Sequence, residues 1–123
     1  MHTSDKTQFT SADVVADVSL ALALAQTRPT GEAADSLRQR LRGYIGVLAD
    51  PADTYADGLG DSRAKDIAVN TVRHARAVAL DPVTDPAANM RLLAKSTDSL
   101  FRYAAAVRQW PPQVCPPDSP ACP

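Results

Sequence analysis

His2 and His74 are the only two side chains in this 123-residue chain that titrate near neutrality without help from their surroundings. His2 lies in a polar N-terminal stretch. His74 falls on the helical face of Ile67, Thr71 and Val78, beside Arg73 and Arg76, where tyrosines of a neighbouring helix can meet it. Tyr44, Tyr55, Thr71 and His74, with Asn70, are therefore the candidate pocket for a small enzyme or ligand-binding protein. The competing reading is a structural histidine, packed or exposed. Asp50, Asp53, Asp57 and Asp61 form an acidic stripe, and oxygen ligands suit a hard divalent ion. One helix cannot wrap six oxygens around a cation, so the stripe reads as a solvated face or a contact for a basic partner. Cys115 and Cys122 have no neighbouring histidine or further cysteine, too few ligands for zinc. A disulfide between them is sterically feasible, within a Trp110–Pro123 tail whose prolines favour extended polyproline geometry. There is no glycine-rich phosphate loop, serine–histidine–acid arrangement or cofactor fingerprint, so no catalytic, cofactor or metal residue is assigned.

Charge narrows the classes further. Thirteen Lys and Arg against fourteen Asp and Glu leave no strongly basic footprint. Arg38, Arg40, Arg42, Arg63, Lys65, Arg73 and Arg76 are the ingredients of a basic patch, and two helices joined by a glycine turn resemble helix-turn-helix logic. Arg40 points away from Arg38 and Arg42, however, and no row of base-reading Asn or Gln follows. DNA binding ranks third among the functions. Residues 1–35 are acidic on balance and residues 91–109 basic, so the first and last helices are expected to attract each other. Asp17 interrupts the longest apolar run, Val14 to Ala25, so no membrane span is expected. Ala23-Leu24-Ala25 resembles a small-residue cleavage site, but too few basic residues precede it for a signal peptide. The cytoplasm is the default compartment.

The elements that must position these residues are helical throughout. After a polar start over residues 1–9, Thr10 or Ser11 can cap a first helix, with Asp13 in its first turn. Val14, Val18, Ala21, Leu22 and Ala25 make one face of it, ending near Gln26. Leu20 and Leu24 fall opposite, as surface leucines or a second contact surface. Leu37, Leu41, Tyr44, Leu48, Ala52, Tyr55 and Leu59 then hold one stripe for about six turns. Pro51 sits inside that pattern and predicts a kink, or a stop and restart with Asp50 as cap. A third helix over residues 63–80 carries Ala64, Ile67, Thr71, Val72, Ala75, Val78 and Ala79 on a small-residue face. Asp85 caps a fourth, opened by Pro86, which buries Met90, Leu93, Thr97, Leu100, Phe101, Ala104 and Val107 and ends near Gln109. Short connections predict an all-α, antiparallel up-and-down four-helix bundle over residues 10–109, with a kinked second helix and a Pro/Cys-rich tail over 110–123.

Two stretches carry a resemblance. Leu41-Arg42-Gly43-Tyr44-Ile45-Gly46-Val47-Leu48 and Leu93-Ala94-Lys95-Ser96-Thr97-Asp98-Ser99-Leu100-Phe101-Arg102-Tyr103 are similar to the LRGHLxLL-type and LARSVxALxxHY-type helices of an actinobacterial, Streptomyces-type family, domain-of-unknown-function family 6415. In that family an alanine-rich helix ending in an EAR-type motif joins the two, and here His74-Ala75-Arg76 holds that place. The resemblance covers about residues 37–104 and implies a loose association with natural-product biosynthesis. Tyr44 stands where the family has histidine, His74 where it has glutamate, and Pro51 one place later than the family proline. A catalytic role resting on that histidine or glutamate would fail in this chain.

The expected function is accordingly a non-catalytic helical module in an accessory or regulatory role, acting on a protein partner or as a homodimer. Leu20, Leu24, Asp50, Asp53, Asp57 and Trp110 are its candidate interaction surface. The interhelical pocket leaves room for a small-molecule ligand as the alternative.

Overall fold

The computed structural model describes residues 9–108; His2, Trp110, Cys115 and Cys122 lie outside them. Four α-helices fill the described chain: α1 (Ser11–Thr27), α2 (Glu32–Asp57), α3 (Arg63–Leu80) and α4 (Pro86–Arg108). Each start has a local cause. Thr10 closes a reciprocal capping box with Asp13, accepting from its backbone N–H at 3.1 Å while the Asp13 carboxylate accepts from the Thr10 N–H at 2.9 Å. Ser62 caps α3 through the Lys65 N–H at 3.1 Å, and Asp85 caps α4 through the Ala88 N–H at 3.1 Å. α2 has no side-chain cap; Gly31 turns the chain into it at φ 109°, a conformation that disfavours any residue with a Cβ.

The directions follow from what meets at each end. Arg38, early in α2, reaches Pro86 and Asn89 at the start of α4, while Tyr55 and Tyr103 stack at 4.8 Å near the two C-terminal ends, so α2 and α4 run parallel. Arg42 reaches the carbonyl of Asp81 just beyond α3, which sets α3 antiparallel to α2. Asp17 of α1 meets Arg40 and Tyr44 across the first connection, completing an up-and-down bundle. α2 and α4 pack together most extensively, across the short diagonal. α1 lies chiefly against α4 and meets α2 least.

The core is Leu37, Leu41 and Ile45 of α2 against Met90, Leu93 and Leu100 of α4, closed by Val14 and Ala21 of α1 and Val72 and Ala75 of α3. Full burial of each large side chain contributes about 2 kcal/mol. α2 runs unbroken through Pro51, so the stop and restart capped by Asp50 does not occur. The proline removes the amide that would bond the Val47 carbonyl, and Val47 is on the exposed side, where water can take that role.

Two faces differ from the sequence expectation. Leu22 is exposed whereas Leu24 packs against the core, because α1 is rolled towards α2, where Asp17 is held. In α3 the buried line is Ala68, Val72, Ala75 and Val78, which leaves Ile67 53% exposed. α3 packs against both α2 and α4 along the line of Val72, Ala75 and Val78, and that phase places Ala68 inside and turns Ile67 outward.

The buried charge is Arg38, 2% exposed. Its Nε donates to Asn89 Oδ1 at 2.8 Å and its Nη2 to the carbonyls of Pro29 at 2.7 Å and Pro86 at 2.8 Å. One guanidinium thus ties the α1–α2 connection and the start of α4 to α2. It is a structural pin and takes no part in a basic patch.

Candidate functional site

The four residues of the candidate pocket do not converge. Tyr44 faces α1 in a hollow of about 610 Å³ that Phe9, Asp13, Asp17, Gln39 and Arg40 also line. Tyr55 lies on Tyr103 at the opposite end of the bundle, beside Gly58, Leu59 and Val107. Thr71 and His74 do share a hollow, with Leu92, Lys95, Ser96 and Ser99 of α4, so the fourth helix supplies the neighbours expected from the second. The Thr71 hydroxyl is spent on the Ile67 carbonyl at 2.8 Å.

A polar cluster that the residue patterns did not single out lies between α1 and α2. Asp17 accepts from Arg40 Nε at 3.0 Å, from Arg40 Nη2 at 3.2 Å and from the Tyr44 hydroxyl at 2.5 Å. Phe9 meets the Tyr44 ring edge-on at 4.7 Å. Burial acts to raise the Asp17 pKa, but the hydrogen bonds from Arg40 and Tyr44 outweigh it and hold the carboxyl below its ordinary value. Burial, then the bond to Asp17, pushes the Tyr44 hydroxyl up to about 12. The bond to Asp17 raises Arg40 further. All three groups are fixed far from neutrality, so the cluster is a clamp between α1 and α2 and is not poised for proton transfer near pH 7. It also answers the expected attraction between the first and last helices: among the described residues Asp17 pairs with α2, not α4. The only signal for it was an aspartate interrupting an apolar helix.

The acidic stripe is partly spent as well. Arg76 of α3 binds Asp50 at 3.0 Å and Asp53 at 2.8 Å, leaving Asp57 exposed without an ion pair among the described residues. No group of three His, Cys, Asp or Glu among the described residues is placed to hold a metal ion. No helix among them is long and apolar enough to cross a membrane.

The apolar surface of α1 stands apart. α2, α3 and α4 gather most of their apolar residues on one side, with single exceptions such as Val47, Ile67 and Leu92, whereas α1 is apolar nearly all round. Ala12, Ala16, Ser19 and Ala23 run along its exposed crest. Val15, 54% exposed, and Leu22 form one shoulder, and Leu20, 44% exposed, forms the other. The helix has two charged side chains, Asp13 and Asp17, engaged in the capping box and the clamp. The crest therefore carries no charge.

A family model matches residues 12–109, from the first turn of α1 past the end of α4. The chain belongs to DUF6415, a family of unknown function. The DUF6415 match takes in all but the first residue of the helical bundle, so the clamp, the Arg38 pin and the crest of α1 all lie within it. No curated protein and no solved structure is detectably similar to the chain.

Proposed function

We propose that this DUF6415 chain is a non-catalytic protein-interaction module that works through the exposed crest of α1, and that the partner seated there is a second copy of the chain. The observation that carries this reading is the uncharged crest flanked by Val15, Leu20 and Leu22 on a helix whose own charges are already satisfied. A face with no charge needs no complementary charge opposite it, which suits a two-fold contact between identical helices. The role is accessory or regulatory, in the cytoplasm, with natural-product biosynthesis as the setting that the family resemblance suggests. Asp57 and the tail from Trp110 remain secondary surfaces in this reading.

Sedimentation equilibrium tests it. The full chain is expected to dimerise, and Val15→Glu with Leu22→Glu is expected to leave a monomer whose helical circular dichroism is unchanged. A parent chain that stays monomeric at high protein concentration removes the self-association reading.

A further inference from the structure

Three features that the fold does not require meet at one hollow of about 380 Å³ between α2 and α3. The first is Gly46, in the middle of α2, where glycine is among the least favourable residues. A Cβ built there meets nothing within 4 Å, so no close approach by the chain's own atoms explains the glycine. The second is Arg42, whose Nε is buried with no hydrogen-bond partner, while its Nη2 reaches only the Asp81 carbonyl at 3.4 Å. A buried, unsatisfied donor is costly, and it marks where an acceptor would be welcome. The third is Leu80 on the rim, an apolar side chain 85% exposed.

We propose that this hollow binds a small organic carboxylate with a short apolar body. A planar carboxylate can take both the Nε–H and the Nη2–H of a guanidinium, a match that an alcohol cannot make, and the covered Nε of Arg42 offers it once the side chain turns from the Asp81 carbonyl into the hollow. Asp50, the acidic residue in the lining, is ion-paired with Arg76, which also binds Asp53 outside it, so Arg42 is the cation without a carboxylate among the described residues of the hollow. The body would lie on Gly46, Ala49 and Ala79, with Leu80 placed to cover it. The contrast with Gly43 sharpens the assignment. A Cβ there also meets nothing within 4 Å, but the hollow beside it is lined by the Asp17–Arg40–Tyr44 clamp, whose groups already have partners. This site does not rest on the α1 crest.

Hexanoate is the probe, titrated into the ¹⁵N-labelled full chain while the Arg42 Nε–H and Gly46 amide signals are followed. Hexanol lacks the carboxylate and acetate lacks the body. Both signals are expected to shift saturably with hexanoate, and each control to bind about tenfold more weakly. Arg42→Gln removes the fork, and Gly46→Ala places a methyl on the floor; each is expected to weaken hexanoate binding about tenfold. Gly46→Ala is also expected to melt no lower than the parent, so its loss of binding is not unfolding. Val15→Glu with Leu22→Glu is expected to bind hexanoate unchanged. An unmoved Arg42 signal at the solubility limit of hexanoate, or an equal response to acetate, overturns the proposal. An acetylated tripeptide ending in leucine offers the same carboxylate from a polypeptide, and tighter binding by it overturns the small-molecule assignment.

Discussion

Raising the pH above 10 favours loading a negative charge onto Tyr44 beside the carboxylate of Asp17. Because the folded chain holds that hydroxyl's pKa up at about 12 against an ordinary 10, its stabilisation is complete below pH 10 and is lost as the pH climbs through about 12. Asp17 works in the opposite direction. Its pKa is depressed on folding, so its contribution is present above the ordinary carboxylate range and fades as the pH falls through the lower, folded value. Urea melts across pH should show both flanks, and Tyr44→Phe should flatten the alkaline one while costing about 1.5 kcal/mol at neutral pH. Arg38 is the other decisive side chain. Arg38→Met keeps the length and removes the donors, leaving Asn89 and two carbonyls unmatched in the interior, and a loss of about 3 kcal/mol is expected from chemical denaturation. Neither role was legible beforehand. Arg38 sits one residue past Leu37, and nothing in a string of residues says that the Pro29 carbonyl and, from α4, the Pro86 carbonyl and the Asn89 side chain will gather around it.

Helix by helix, legibility followed contrast. The α2 stripe from Leu37 to Tyr55 stands against polar residues on the other side, so its phase could be read, and its residues are buried or half-buried as that phase requires. α1 offers alanine and leucine on several sides, so its phase could be read only in part: Val14, Val18, Ala21 and Ala25 turn inward as expected, while Leu22 does not. Its orientation was decided instead by Asp17 reaching α2, which turned Leu24 inward and Leu22 outward. Leu24→Glu is therefore expected to lower stability by about 3 kcal/mol, whereas Leu20→Glu should stay within about 0.5 kcal/mol, as thermal melts can show. Pro51 gives the converse test. Since α2 continues through it, Pro51→Ala restores an amide to the ladder and should raise stability by about 1 kcal/mol or more.

At the scale of the molecule, the fold class was readable from periodicity and short connections, but the candidate pocket was not. Grouping Tyr44, Tyr55, Thr71 and His74 required knowing which flank of α2 faces α3. With α2 and α4 on the short diagonal, Tyr44 turns towards α1, Tyr55 meets α4, and His74 shares its hollow with Lys95 and Ser96. The proposed dimer also has a signature at this scale. A contact through the uncharged crest of α1 has no ion pairs to screen, so the sedimenting mass should persist from about 0.1 M to 1 M salt; dissociation by salt would move the contact to a charged surface such as that around Asp57.

Alanine-rich helices offer many near-equivalent ways to stack, and apolar surfaces alone discriminate poorly between them. A bundle slid by one turn, about 5.4 Å, could still bury most of its leucines. Arg38 makes those alternatives unequal. Its donors meet Pro29, Pro86 and Asn89 only when the α1–α2 connection and the start of α4 lie beside the same turn of α2. In any other register those three acceptors would be lost, and the buried guanidinium would keep only Asp35 of its own helix, an exposed carboxylate 3.4 Å away. The pin therefore selects one register of α2 against α4 out of several that would otherwise compete.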